Sequence, residues 1–262
     1  KAGRVKCANN LRQVTLALAG FANDNNSRFP WLCTLEEQRQ FTNGLTGGLP
    51  FRGQDIANWR AREMITLFCI PAIRGELNSV DLLKSPLDAE AKEANDDMSF
   101  KFSALTQLDP LGLSYSVCHG GDQLSPTTIV GLTRNTEHPN LKPFGSQMRV
   151  IQGRCVIKVA ANPAGISTRF VGPDEISPTT PPADAQRLSM CSMSGLFKGQ
   201  GQLSLADGSV NQTSDSGLDE AISAQLKVSG GSVSGQPESS ISRPLQPPMP
   251  IVANPQQGGA GN

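Results

Sequence analysis

Cysteine, histidine and acidic side chains are the groups in this sequence that could carry out chemistry. Cys118 and His119 are adjacent, which suggests a nucleophile and a base. Because neighbouring residues of an extended strand point to opposite faces, the two side chains cannot act on each other directly. The sequence also lacks the motifs of nucleophile-elbow hydrolases, phosphate-binding loops, zinc proteases and dinucleotide-binding proteins. We therefore expect no catalytic residue and no enzyme activity.

Potential metal ligands are present, but their spacing fits no standard metal site. The six cysteines are far apart, none forms a CxxC pair, and there are only two histidines, so zinc is not expected. Three acidic pairs could contribute to a calcium site: Asp96 with Asp97, Asp174 with Glu175, and Asp207 with Asp215. None has the spacing of a calcium-binding loop, and Asp207 has a structural role available in an Asp-Gly turn. We expect no cofactor, with calcium as the one cation left open.

Charge and composition exclude some classes of partner. Lys plus Arg and Asp plus Glu each number 23, giving no net charge, and so we expect no nucleic-acid binding. Aromatic residues make up 5% of the chain, with 26 Gly and 19 Pro, which indicates a lean core and much loop. No run of 18 apolar residues could span a membrane. An even number of cysteines suits an exported protein with disulfides, although core cysteines of a cytosolic protein would look the same.

The N-terminal stretch predicts an amphipathic helix that ends at the turn Asn23 to Ser27. Its apolar residues recur at spacings of four and three, in one stripe: Cys7, Leu11, Val14, Leu18 and Phe21. We expect Leu11, Val14, Leu18 and Phe21 to pack this helix on a sheet. The start, KAGRVK, is basic and carries no capping residue, and positive charge at a helix N-terminus opposes the macrodipole.

The rest of the chain predicts an α+β domain, with this helix on one face of an antiparallel sheet and long irregular insertions. Helices are expected over TLEEQRQF, DIANWRAREMITLFCI up to Pro71, and GLDEAISAQL, whereas DAEAKEANDD fits a helix or a charged loop equally well. Strands are expected at 113–117, 127–132, 154–160 and 167–172, with Tyr115 as a core residue. GQLSLADGSVNQ predicts a hairpin with a type I′ turn at Asp207-Gly208. Residues 229–262 are rich in Gly, Ser and Pro and predict a flexible tail.

Several of these segments resemble one family, the prepilin-like proteins related to type II secretion pseudopilins. CANNLRQVTLALAGFANDNNSRFP closely resembles the stretch that follows their membrane helix. LLKSPLD is similar to a Phe-x-Cys-Pro-x-Asp segment with Ser85 in the place of the Cys, and LSYSV and TTIVGLTRN are similar to two strands. FKGQGQLSLADGSVNQ resembles the C-terminal motif through Gly201, Ala206, Asp207 and Gly208. Phe197 stands where that motif has a His.

The resemblance implies a pilin-like fold and a non-enzymatic structural role. Residues 1–28 would be the C-terminal half of a stalk helix, 29–228 the globular head and 229–262 the tail. The subunit would be exported and anchored in the inner membrane by an apolar helix upstream of Lys1, with a periplasmic or extracellular head. Its partners would be copies of itself or related pilin-like subunits in a filament, and the inner-membrane secretion or pilus assembly machinery.

One alternative function belongs to a different class. The chain could be a surface-exposed binding module, such as a minor pilin or adhesin-like subunit, that recognises a glycan or a secreted substrate. An exposed aromatic cleft at Trp31 or Trp59 would favour this alternative, whereas two tryptophans in the core would not.

Overall fold

The longest helix of the described residues is α1, which spans Ala2–Asp24. The computed structural model describes residues 2–42, 67–68, 70–89, 91, 113–118, 121–137, 153–156, 169–228 and 240–243. Helix α1 ends where the sequence predicted. Asn26 and Ser27 take left-handed backbone conformations just beyond it, and the side chain of Asn25 donates to the carbonyl of Phe21 at 2.7 Å.

The remaining helices and strands are short. Helices α2 to α5 span Leu35–Thr42, Pro71–Leu77, Pro182–Cys191 and Asp215–Val228. Strands β1 to β4 span Tyr115–Cys118, Ile129–Thr133, Thr136–Glu137 and Gly153–Val156. Strands β5 to β8 span Arg169–Phe170, Gly201–Leu205, Val210–Thr213 and Ser240–Arg243. Single-turn 3₁₀ helices form at Pro30–Leu32, Val80–Leu83 and Pro173–Glu175.

The described strands form an antiparallel sheet of six strands in the order β4-β8-β1-β2-β6-β7, and β3 pairs separately with β5. Every pairing is antiparallel. The α+β class is therefore confirmed. The predicted strands at 113–117, 127–132 and 167–172 correspond to β1, β2 and β5. Of 154–160, residues 154–156 lie in β4 and the others lie outside the described residues.

Helix α1 packs on one face of the central strands, as predicted, and a further helix covers the other face. Tyr115, Val117 and Val130 belong to the core beneath α1. Other positions of β1 and β2 form a second core with β6 and α5, and the register of β2 shifts between Ile129 and Gly131. This core contains Cys118, Ile129, Leu132 and Leu203 with Leu218 and Ile222. The physical reason lies in β1 and β2 themselves, since both are buried along their whole length and carry apolar side chains on both sides.

The hairpin between β6 and β7 is confirmed, but its turn type is different. The N–H of Gly208 donates to the carbonyl of Leu205 at 2.9 Å, and the N–H of Leu205 donates to the carbonyl of Ser209 at 3.0 Å. Gly208 has a φ of 82°, whereas Asp207 is not among the residues of positive φ. This is a three-residue loop closed by a left-handed glycine, not the two-residue type I′ turn, which requires positive φ at both central residues.

Helix α2 begins at a capping box that the sequence encodes. The backbone N–H and the hydroxyl of Thr34 both donate to Glu37, at 2.7 and 2.9 Å, and the N–H of Glu37 donates back to the Thr34 hydroxyl at 3.3 Å. Arg28, in the turn after α1, donates two hydrogen bonds to the same carboxylate, at 3.0 and 2.6 Å. The end of α1 and the start of α2 are thereby tied together.

Two predicted segments fall partly outside the described residues. Of the helix predicted up to Pro71, Leu67 and Phe68 are helical and buried. Pro71 begins α3, because proline is suited to the first turn of a helix. Of DAEAKEANDD, only 88, 89 and 91 are described, and 89 and 91 have helical backbone.

The predicted flexible tail is corrected at one place. Ser240–Arg243 forms β8, which lies between β1 and β4 in the sheet. Cys118 of β1 and Cys155 of β4 both pair with Ile241, from opposite sides. The partners of this strand lie far away in the sequence, and its Gly, Ser and Pro-rich surroundings gave no local signal for it. The rest of 229–262 lies outside the described residues.

Candidate functional site: the buried face of helix α1

The predicted stalk-head packing residues lie in the largest core of the described residues. Leu11, Val14, Leu18 and Phe21 are all at most 2% exposed and belong to one hydrophobic cluster. The cluster also takes in the loop after α1, helix α3 and the 3₁₀ turn at Val80–Leu83. The helix is thus covered along one flank as well as against the sheet, so its buried face is wider than the single apolar stripe indicated.

Polar contacts fix α1 to the head along its length, and the sequence gave no sign of them. Near the start, Arg4 donates to the side chain of Gln200 at 2.7 Å, and Gln202 donates to the Arg4 carbonyl at 2.9 Å. One turn and a half later, Asn10 donates to the Lys84 carbonyl at 2.8 Å. These contacts join the helix to the start of β6 and the loop before it on one side, and to the 3₁₀ turn region at Lys84 on the other.

The middle of α1 is joined to the sheet itself. The hydroxyl of Thr15 donates to the hydroxyl of Ser204 in β6 at 2.7 Å, and both side chains are buried. The Thr15 hydroxyl also contacts the Leu11 carbonyl at 3.0 Å, and the Ser204 hydroxyl contacts the Gly131 carbonyl at 3.4 Å. The contact between the two hydroxyls therefore favours one axial position of the helix on the strand and adds to the other polar contacts of α1.

A cluster of polar side chains surrounds the thiol of Cys7 beneath the helix. The hydroxyl of Tyr115 donates to the carbonyl of Cys7 at 3.1 Å and lies 3.7 Å from its sulfur. The hydroxyl of Ser85 is a further hydrogen-bond partner of the thiol. Burial raises the pKa of Cys7 and that of Tyr115, so both stay neutral. A buried neutral thiol is inert, so Cys7 serves packing and hydrogen bonding.

A buried ion pair extends this cluster towards β2. Arg134 donates to both carboxylate oxygens of Asp88, at 2.6 and 2.7 Å, and both side chains are 0% exposed. Ser114 links the two segments, since its hydroxyl accepts from the N–H of Ser85 and its carbonyl accepts from the N–H of Arg134, both at 2.9 Å. Sequence reasoning missed the pair, although LLKSPLD contains Asp88 and TTIVGLTRN contains Arg134.

The family-motif residues on the hairpin have structural explanations. A Cβ at Gly201 would collide with the ring of Phe170, so only glycine fits there. Ala206 is buried, and its N–H donates to the Thr128 carbonyl at 2.9 Å. The carboxylate of Asp207 accepts from the N–H of Ser209 at 2.8 Å, and hydrogen bonds from Ser209 lower the pKa of Asp207. Gly208 supplies the left-handed turn.

The residues first considered for chemistry have structural partners. Cys118 is fully buried in β1 beside Gln225, whereas His119 lies outside the described residues. Among the acidic pairs, Asp174 accepts from the N–H of Lys198 and Asp215 from the N–H of Phe170, at 2.9 and 2.7 Å. Asp96 and Asp97 lie outside the described residues. In the part of the chain that the structure describes, no three His, Cys, Asp or Glu side chains come together as a metal site would require.

Trp31, one of the two tryptophans that the alternative function would use, makes contacts within the fold. The indole N–H of Trp31 donates to the Gly121 carbonyl at 2.8 Å, and its ring stacks on Phe29 with centroids 4.9 Å apart. Trp59 lies outside the described residues. Four buried cysteines, Cys7, Cys33, Cys118 and Cys191, are free thiols. Among the described helices, none is long and apolar enough to cross a membrane.

Neither a protein-family model, nor a curated protein sequence, nor a solved structure matches this chain.

Proposed function

We propose that this chain is the lower stalk helix and head of a pilin-like subunit, assembled into a filament by a type II secretion or type IV pilus-like machine. Its role is to assemble with other subunits, and it catalyses no reaction. Residues 1–28 contribute the stalk and 29–228 the head. The expected setting is an exported head on an inner-membrane anchor.

One observation carries this proposal: the segments that resemble the pseudopilin-related family converge on the buried face of α1. Cys7, Ser85 and Tyr115 come from three of these segments and contact one another. Asp88 and Arg134 join the second and the fourth through the buried ion pair. Residues far apart in the chain thus form one network whose position in space is the junction of helix and head.

Such a junction is what a stalked subunit requires. In a filament the stalk carries the load between neighbours, so the head must not rotate or slide on the helix. Apolar burial alone is non-directional, whereas hydrogen bonds from Arg4, Asn10 and Thr15 hold one register. The combination favours a rigid head-bearing helix over a surface helix that could detach.

The direct test is the form and location of the native protein in the cells that produce it. We expect an intact mass and N-terminal sequence showing an apolar stretch of about 20–25 residues before Lys1, long enough to span a bilayer. Its first residue should be methylated, and the protein should be recovered in a sheared filament fraction. A native chain preceded by an ordinary cleaved signal peptide, and missing from filaments, would contradict the proposal and return attention to the binding module.

A further inference from the structure

The exposed side of α1 is a cationic face. It consists of Val5, Lys6, Asn9, Arg12 and Leu16, which lie on one side of the helix because of their spacing. Val5 is 61% exposed and Leu16 is 45% exposed, although both are large apolar side chains. From Ala2 to Asn23 the charged residues are all basic, and the first acidic residue is Asp24 at the end of the helix.

The opposite face of the sheet carries an acidic face at the start of α5. It consists of Asp215, Asp219 and Glu220, together with Phe197, which is 52% exposed. Gly199, two residues after Phe197, lies beside the carboxylate of Asp215. The exposed Lys198 reduces the negative charge of this face but leaves acids in excess.

Asp215 and Asp219 lie four residues apart on α5, which makes the acidic face receptive to a cation. The two carboxylates are one helical turn apart. Partial burial and the charge of Asp215 together raise the pKa of Asp219. An incoming Lys or Arg would relieve this repulsion.

The two faces lie at the same level along the sheet. Helix α1 runs beside β6 in the same direction, with Arg4 bonded to Gln202 and Thr15 bonded to Ser204. Helix α5 starts after Thr213, which pairs with Gly201 at the same end of the sheet.

Helix α5 then runs the same way on the other face. Its Gln225 accepts from the N–H of Ile129, at the far end of the sheet where Ile129 pairs with Leu205. At a rise of 1.5 Å per residue, Lys6 and Arg12 are separated by about 9 Å along the axis of α1, and Asp215 and Glu220 by about 7.5 Å along the axis of α5. At 3.6 residues per turn, the two members of each pair lie roughly 120–140° apart around their axis. The charges are therefore similarly arranged on the two helices.

We propose that the cationic face of one copy docks on the acidic face of the next, so that heads stack in one direction. This deepens the proposed function and rests on it. The contact joins two different surfaces, so it is heterologous, and a stacking by translation does not close into a ring. One pair of helix faces is smaller than a standard stable interface, so each contact is weak and salt-sensitive, and many in series hold the filament.

Sedimentation of the purified 262-residue chain tests this docking. At about 0.05 M salt, where screening is weak, we expect concentration-dependent association that proceeds beyond the dimer and is suppressed at about 0.5 M. Glu220→Lys should weaken it by about five- to tenfold, the effect expected on losing and reversing exposed ion pairs. Glu76→Lys makes the same charge change on α3 and is the matched control. Combining Arg12→Glu with Glu220→Lys restores opposite charges across the contact and should recover association.

Three outcomes would overturn the docking: no association at low salt, an assembly that stops at a dimer, or equal effects of Glu220→Lys and Glu76→Lys. Failure of the Arg12→Glu, Glu220→Lys pair to recover association while both singles weaken it would also overturn it. Equal thermal stability of all variants shows that they fold. The sheared filament fraction from producing cells reports separately on the proposed function. If cells that produce the Glu220→Lys variant yield as much filament as cells that produce the wild type, this contact is rejected and the filament function stands.

Discussion

Replacing Asp88 by Asn tests whether the buried ion pair holds the junction of α1 and head. Asn keeps the shape of the side chain and removes its charge. Arg134 keeps its positive charge in this variant, because a guanidinium does not lose its proton in proteins. Since both side chains are 0% exposed, removing the carboxylate leaves a buried charge without its counter-ion. Breaking a buried pair in this way costs about 3–5 kcal/mol.

Thermal unfolding followed by circular dichroism measures this loss. In a chain of this size, each kcal/mol shifts the Tm by about 2–4 °C, so Asp88→Asn should lower it by about 6–20 °C. The protein contains a matched control in Arg28 and Glu37, an Arg–carboxylate pair of similar geometry whose side chains are 30% and 32% exposed. Arg28→Gln should lower the Tm far less, because water solvates the remaining carboxylate.

A double variant separates charge from shape. Asp88→Asn combined with Arg134→Met removes both charges and should recover most of the lost stability, since no charge then remains buried. If Asp88→Asn proves no more harmful than Arg28→Gln, the reasoning from burial is refuted. If the double variant is as unstable as Asp88→Asn alone, the loss comes from packing or lost hydrogen bonds.

Three further predictions concern the same helix and its neighbours. In urea unfolding, Leu18→Asp should lower the free energy of unfolding by more than the about 1.5–3 kcal/mol that burial of a leucine contributes. The same change at the exposed Leu16 should alter it by no more than about 0.5 kcal/mol, and equal losses would contradict the packing of α1. Ser85→Cys should form a disulfide bond with Cys7 that stabilises the fold by up to about 4.5 kcal/mol. The wild-type chain has 6 cysteines, so an oxidised and then unfolded variant in which every thiol, including the added one, still reacts with a maleimide would disprove it. Hydrogen bonds from Arg28 and Thr34 lower the pKa of Glu37 from 4.5 to about 2, so the stabilisation by its carboxylate is complete above pH 4.5 and is lost as the pH falls towards 2. The Tm difference between wild type and Glu37→Gln should therefore shrink over that range, and a constant difference would be evidence against this role of Glu37.

Local patterns in the sequence predicted much of the fold. The stripe from Cys7 to Phe21 gave α1, because a 3.6-residue period is a property of neighbouring residues. Asp207-Gly208 predicted the turn of the hairpin, because glycine readily takes the left-handed conformation that such a turn needs. The alternating Leu203 and Leu205 predicted the strand before it. The core role of Tyr115, with its hydroxyl bonded to the Cys7 carbonyl, followed from its place in a β-rich stretch. Each of these depends on a few residues in sequence.

Long-range pairing could not be predicted in the same way. The Asp88–Arg134 pair joins segments 46 residues apart, and nothing in either segment specifies the other. The second covered face of the sheet depends on where α5 packs with Leu218 and Ile222, although the sequence predicted this helix. Strand β8 is placed by backbone pairing with β1 and β4, to which side-chain types contribute little.

The polar contacts beneath α1 explain how this helix can be held in one register. A shift of α1 by one turn, about 5.4 Å, could bring another apolar residue into each core position, because the stripe repeats at nearly that period. The same shift would separate Thr15 from Ser204, although Thr15 would keep the Leu11 carbonyl and Ser204 the Gly131 carbonyl as partners. It would also separate Asn10 from the Lys84 carbonyl and leave these two groups without each other. Each unpaired group costs about 1–3 kcal/mol. Apolar burial therefore holds the helix on the rest of the domain, and the hydrogen bonds favour one axial position. That position is the quantity that the proposed filament of stacked subunits would have to keep the same in every copy.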